Sequence, residues 1–221
     1  MFIGHFGVGL SAKKLAPKTS LGTLFLSVQF VDLLWPMFLL LGMEHVRIDI
    51  GNTVVTPLDF YDYPITHSLV GGIGWGILFG GAYFAINRDR TGALVIGGLV
   101  VSHWFLDLLV HGPDLPIYPG GPKVGFGLWN SVSGTLIAEA LVFGAGLLVY
   151  LRTTTARSLQ GNFALWSFVV VTTVLYLVSS FGPPPGEVKS LAWAALGQWI
   201  IVPWGWWIDV KRVVPIGERE F

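Results

Sequence analysis

Six apolar stretches divide the chain, running roughly from Leu21 to Gly42, His67 to Ile86, Gly92 to Val110, Val132 to Leu151, Phe163 to Phe181 and Leu191 to Ile208. Each approaches the ~20 residues needed to cross ~30 Å of hydrocarbon. Glycines and Pro36 lie within these runs, but neighbouring helices in a bundle can satisfy the backbone groups that such residues free. The pattern predicts an all-α, polytopic membrane protein with about six transmembrane helices. A further apolar segment, Phe2 to Leu15, ends at Lys13 and Lys14 with Pro17 just beyond. It is too short to span. It is expected to lie on the inner surface or to re-enter the bundle from that side. The whole chain, 1–221, reads as a single integral membrane domain. Residues 1–151 carry the polar site helices, and 152–221 supply two additional spans.

The segments between spans alternate in charge. Lys13, Lys14 and Lys18 precede the first span, Arg88 and Arg90 follow the second, Arg152 and Arg157 follow the fourth, and Lys211, Arg212 and Arg219 follow the last. The intervening segments are poorer in Lys and Arg. The positive-inside rule then gives a multi-pass chain with both ends in the cytoplasm. The two longest connections, Met43 to Thr66 and His111 to Ser131, fall on the outer face. They hold turn-forming Pro, Gly and Asp. Long loops on one face often build a site or a lid.

Composition agrees and removes several alternatives. Hydrophobic residues make up 53% of the chain and charged residues 12%, too few charges for an ordinary soluble domain. The 29 glycines suit closely packed membrane helices, and the 10 tryptophans suit the interfaces. Formal net charge is zero, so nothing points to a nucleic-acid partner. There is no cysteine, which excludes disulfides, thiolate ligands, iron–sulfur clusters and thiol nucleophiles. The start does not read as a cleaved signal peptide, because its positive charges follow the apolar run.

Ionisable residues inside the spans are few, and each costs ~2.5–3.5 kcal/mol on insertion scales. At a helical rise of ~1.5 Å per residue, Asp32 and His103 both lie ~16 Å from the inner side, Glu139 ~10 Å from the outer side, and His5 ~12 Å above Lys13 if the first helix re-enters. His67 begins the second span. His103, Asp107 and His111 recur at i, i+4 and i+8, on one helix face. An imidazole and a carboxylate one turn apart can grip one divalent cation, with zinc first and manganese or iron as alternatives. A single His-x-x-x-Asp pair is more often interhelical hydrogen-bond glue. The set is more telling, because no Lys or Arg lies within the spans to offset Asp32, Asp107 and Glu139. His111 precedes Gly112-Pro113 and also reads as an interfacial residue, whereas His45, beside Glu44, reads as solvated.

Tyr63-Pro64-Ile65-Thr66-His67-Ser68-Leu69 and Ser102-His103-Trp104-Phe105-Leu106-Asp107 resemble motifs of the membrane-bound metal-dependent hydrolases, a family that includes a LexA-regulated bacterial inner-membrane protein. The resemblance covers roughly the first 140 residues. It implies a metal site built from His5, Asp32, His67, His103 and Asp107, in a bacterial plasma membrane. Only Asp32 stands where the family carries a richer acidic motif, and Asp62-Tyr63-Pro64 stands where it often carries His-Arg. A more distant likeness is to zinc-dependent phospholipase C, whose His-x-x-x-Asp or His-x-x-x-Glu pairs are matched here by His103 and Asp107. Glu139 would be the acid of a second pair, but Thr135 holds its partner position.

The expected function is metal-dependent hydrolysis of a phosphoester or acyl ester in a lipid or lipid-linked substrate. Asp107 and Glu139 are the expected catalytic carboxylates, Glu139 as general base or further ligand. Asp62 and Asp114 are expected at the mouth, with Ser68 and Ser102 orienting ligands. Two other classes stay open. One is a non-catalytic subunit packed against other membrane subunits, and the other is an ion or proton transporter.

Overall fold

The computed structural model describes residues 1–215; Arg219, counted above with the basic tail, lies outside them. The chain is mostly helical. Its helices are α1 (Ile3–Ala12), α2 (Leu21–Val28), α3 (Phe30–Leu40), α4 (Pro64–His67), α5 (Leu69–Asn87), α6 (Arg90–Val110), α7 (Val132–Thr153), α8 (Leu159–Phe181), α9 (Val188–Leu196) and α10 (Ile201–Lys211). Four of them, α5 to α8, are long and apolar enough to cross a membrane. The pair α2 and α3, bent by 54°, makes a fifth if counted as one broken span. The sixth expected stretch instead forms α9 and α10, joined by a 3-10 turn at Gly197–Ile200. Pro203 lies three residues into α10. It has no N–H to bond back one turn, and its ring crowds the preceding carbonyls, which favours a tightened turn there.

Four long or paired elements start on side-chain caps. Ser20 accepts from Thr23 N, Ser68 from Gly71 N, Asp89 from Gly92 N and Ser131 from Gly134 N. Each satisfies one of the N–H groups that a helix start leaves without a partner. Arg88, in the left-handed conformation (φ 55°), turns the chain between α5 and α6.

The two long loops are more ordered than turn signals alone suggest. The first folds into an antiparallel hairpin, β1 (His45–Ile48) with β2 (Leu58–Asp62), and the second closes through β3 (Leu115–Pro116) against β4 (Lys123–Val124). A third short ladder pairs β5 (Thr155–Ala156) with β6 (Arg212–Val213) at the opposite end.

α1 settles inside the bundle. Eight of its ten residues are buried, against α2, α6, α7 and α8. Lipid is as apolar as a leucine side chain, so close van der Waals contact has to hold such a helix. Gly7 and Gly146 permit that contact: a Cβ on Gly146 would stand 1.9 Å from the Gly7 carbonyl oxygen. At the other end of α1, buried Lys13 bonds Asp209 on α10 (2.6 Å) and the Thr19 carbonyl (2.8 Å).

Two apolar clusters bracket the polar layer. One is centred on Phe6, Phe25 and Phe168, with ring centroids 4.9–5.5 Å apart. The other joins Trp35, Val46, Tyr63, Trp104 and Leu115 beneath the hairpin.

Candidate metal centre

Between those clusters five side chains predicted from sequence meet. His103 and Asp107 come from α6, Asp32 from α3, His67 from the end of α4, and His5 from α1. His67 Nε2 lies 3.2 Å from Asp32 Oδ1. His103 Nε2 lies 3.5 Å from the same oxygen and 3.2 Å from Asp107 Oδ2. His5 Nε2 lies 3.1 Å from Asp107 Oδ1, where the Met1 amino group also forms an ion pair, and its ring stacks on His103 at 3.7 Å between centroids. All five are buried except Asp32, which is about one-fifth exposed.

The far sides of the rings fix their tautomers. His103 Nδ1 donates to the Val28 carbonyl (2.8 Å). That carbonyl sits at the break between α2 and α3, where the helical ladder is interrupted. His67 Nδ1 lies 2.7 Å from Thr66 Oγ1, whose own proton goes to Glu44 Oε2 (2.6 Å). Thr66 therefore accepts from His67 Nδ1–H. In the neutral form of each ring the lone pair then falls on Nε2, facing the carboxylates, the pattern in which outer partners orient metal-ligating imidazoles, whereas a proton on His67 Nε2 would bond Asp32 Oδ1 at 3.2 Å.

A lone pair facing a carboxylate oxygen at 3.2 Å is repulsive unless positive charge lies between them. A proton on His103 Nε2 would be poorly aimed, because that buried atom makes no hydrogen bond of acceptable geometry to either aspartate. A cation between the groups removes the conflict. A tetrahedral ion with ~2.0–2.1 Å bonds separates its ligands by about 3.3 Å, close to the observed spacings. His103 offers only Nε2, so the triads His5–His103–Asp107 and Asp32–His67–His103 share one atom and describe one location.

His5 differs from the other rings. Its buried Nδ1 has no partner among the described residues, so none of them fixes its tautomer from behind. His111 is buried, not merely interfacial. Its Nδ1 lies 2.9 Å from Asp114 Oδ1 and 3.2 Å from the Tyr63 hydroxyl, and its Nε2 stands 4.0 Å from Asp107 Oδ2. Burial, with Asp114 and Asp107 nearby, holds the Tyr63 hydroxyl well above its usual range, so it stays a proton donor.

Glu139 reaches the site differently from the sequence expectation. Its two oxygens accept from Phe2 N (2.6 Å) and Gly4 N (2.7 Å), so it caps α1 from another helix. Ser68 and Ser102 do not orient ligands: Ser68 Oγ bonds the Pro64 carbonyl and caps α5, and Ser102 Oγ bonds the Leu99 carbonyl. Orientation falls to Thr66, Glu44 and the Val28 carbonyl instead. Glu44 is buried and also accepts from Ile65 N and Thr66 N. Its distance of 21 residues from Ile65 along the chain gives no local signal of that role. His45 pairs with Asp62 on the exposed hairpin (2.8 Å), away from the cluster.

No family model, curated protein or solved structure matches the chain.

Proposed function

We propose that the protein is a membrane-embedded, metal-dependent hydrolase, with one divalent cation held by His67, His103, Asp32 and Asp107. The observation that carries this is the convergence of the His67 and His103 Nε2 atoms on Asp32 Oδ1 and Asp107 Oδ2 at 3.2–4.0 Å, with His103 Nε2 left without a hydrogen bond among the described residues. Two histidines with two carboxylates suit zinc, with manganese or iron next. The motif resemblance to bacterial membrane-bound metal-dependent hydrolases points the same way and suggests the plasma membrane. Such an ion lowers the pKa of a bound water and polarises an adjacent carbonyl or phosphoryl oxygen. The chain's own residues do the rest. Thr66 and Val28 hold the rings, the apolar clusters restrict water, and a cavity beside Asp32, His67 and Asp107 gives a substrate access.

Metal analysis of the purified protein tests this. About one divalent ion per chain is expected in the native protein and in His45→Ala, with loss in His103→Ala. Equal, negligible metal in all three would end the proposal.

A further inference from the structure

The cavity over the cluster has a volume of about 230 Å³. Its floor is formed by Asp32, His67, Asp107 and His111. Phe60, Trp129 and Tyr176 add aromatic faces to the lining. No Lys or Arg lines it among the described residues, and Glu139 adds a third carboxylate beside the two aspartates.

That lining selects among the ester classes a metal centre can cleave. Phosphoryl groups are held by Arg or Lys forks or by several cations, because charge on their oxygens must be balanced in a water-poor site. Here the two ligand carboxylates already balance one divalent ion and the Met1 amino group, bonded to Asp107, offsets Glu139, so an anionic head group would bring a charge that no Lys or Arg in the lining balances. A carbonyl ester brings no charge. Its apolar chain suits aromatic walls. At ~30 Å³ per water-sized group, the cavity holds about eight heavy atoms, enough for the ester group and about five further carbons.

Building on the metal centre described above, we propose that this cavity takes an uncharged acyl ester of an amphiphile. The carbonyl faces the His–Asp cluster, and the first carbons of the acyl chain lie between Phe60, Trp129 and Tyr176. In hydrolysis, the water oxygen bonds to the carbonyl carbon and the ester carbon–oxygen bond breaks. The leaving alkoxide takes the proton that water gives up, so the products are a carboxylic acid and an alcohol, with no oxidant or reductant involved.

The test uses the full chain in detergent with zinc, with bound metal measured on every sample. Nitrophenyl esters of increasing acyl length are compared with nitrophenyl phosphate and bis-nitrophenyl phosphate. Acyl esters should be turned over roughly tenfold or more faster than either phosphate ester, with the rate lost in Asp107→Asn. Trp129→Ala should move the preferred acyl length upward, a change that a merely structural role would not produce. Metal-loaded protein that prefers the phosphate esters, or cleaves neither class, overturns the substrate assignment while leaving the metal centre intact. An unchanged length preference in an active Trp129→Ala overturns the placement of the chain. Protein that binds no metal removes both.

Discussion

The His103 imidazole bonds the Val28 carbonyl at 2.8 Å, across 75 residues and between two helices. The bond ties a kink to a ligand. The break between α2 and α3 exposes a backbone acceptor, and that acceptor turns the other ring nitrogen toward two carboxylates. The geometry of the cluster therefore depends on an interruption that a regular span would lack.

The Glu44–Thr66–His67 chain is expected to work as one positioning unit. Thr66→Val removes the hydroxyl that receives the His67 proton, and Glu44→Gln weakens its anchor. Each should lower metal affinity by about 10–100-fold without abolishing binding, as losses of orienting partners commonly do. Competition against a chelating dye measures this. Unchanged affinity in both variants would show that His67 needs no such support.

Removing the metal should loosen the whole bundle. A ligand at ~100 times its Kd stabilises the folded state by about 2.7 kcal/mol. Chelation should therefore lower the thermal midpoint of the native protein. It should leave Asp32→Asn nearly unchanged, because that variant has already lost a ligand. Equal shifts in both would count against metal-linked stability.

Seating α1 needs small residues on both helices. A Cβ on Gly7 would lie 2.5 Å from the Val142 carbonyl oxygen. Gly7→Val should destabilise by about 1–3 kcal/mol through overpacking, and should weaken metal binding as His5, which bonds the ligand Asp107, moves with the helix. Val8→Ala, at a partly buried neighbour, should do much less. Thermal unfolding and metal titration of the two variants distinguish the outcomes.

The alternating basic connections predict which ends of the bundle share a face. With no native cysteine, single substitutions give clean labelling. Ile50→Cys in the hairpin loop and Asn87→Cys at the end of α5 should react with an impermeant thiol reagent from opposite sides of the membrane. Labelling of both from one side would overturn the assigned orientation.

Much of this was legible in the chain. Long unbroken apolar runs gave α5 to α8, because a span needs little beyond length and hydropathy. His103 and Asp107 follow from the period of one helix. Depth matching paired Asp32 with His103, and the structure brings them within 3.5 Å. Other features depend on contacts between distant segments. The split last stretch, the bend at Gln29, the capping of α1 by Glu139 and the anchoring of Thr66 by Glu44 leave no periodic mark. Ser68 and Ser102 misled for a related reason: a serine next to a histidine in sequence is as well placed to serve its own helix.

The most direct measurement is X-ray absorption at the zinc edge on zinc-loaded protein. It should show a shell of two imidazole nitrogens, two carboxylate oxygens and one water oxygen at about 2.0–2.2 Å, with one imidazole lost in His103→Ala. A shell without histidine scattering, or one unchanged in that variant, would contradict the shared cation on which the account rests.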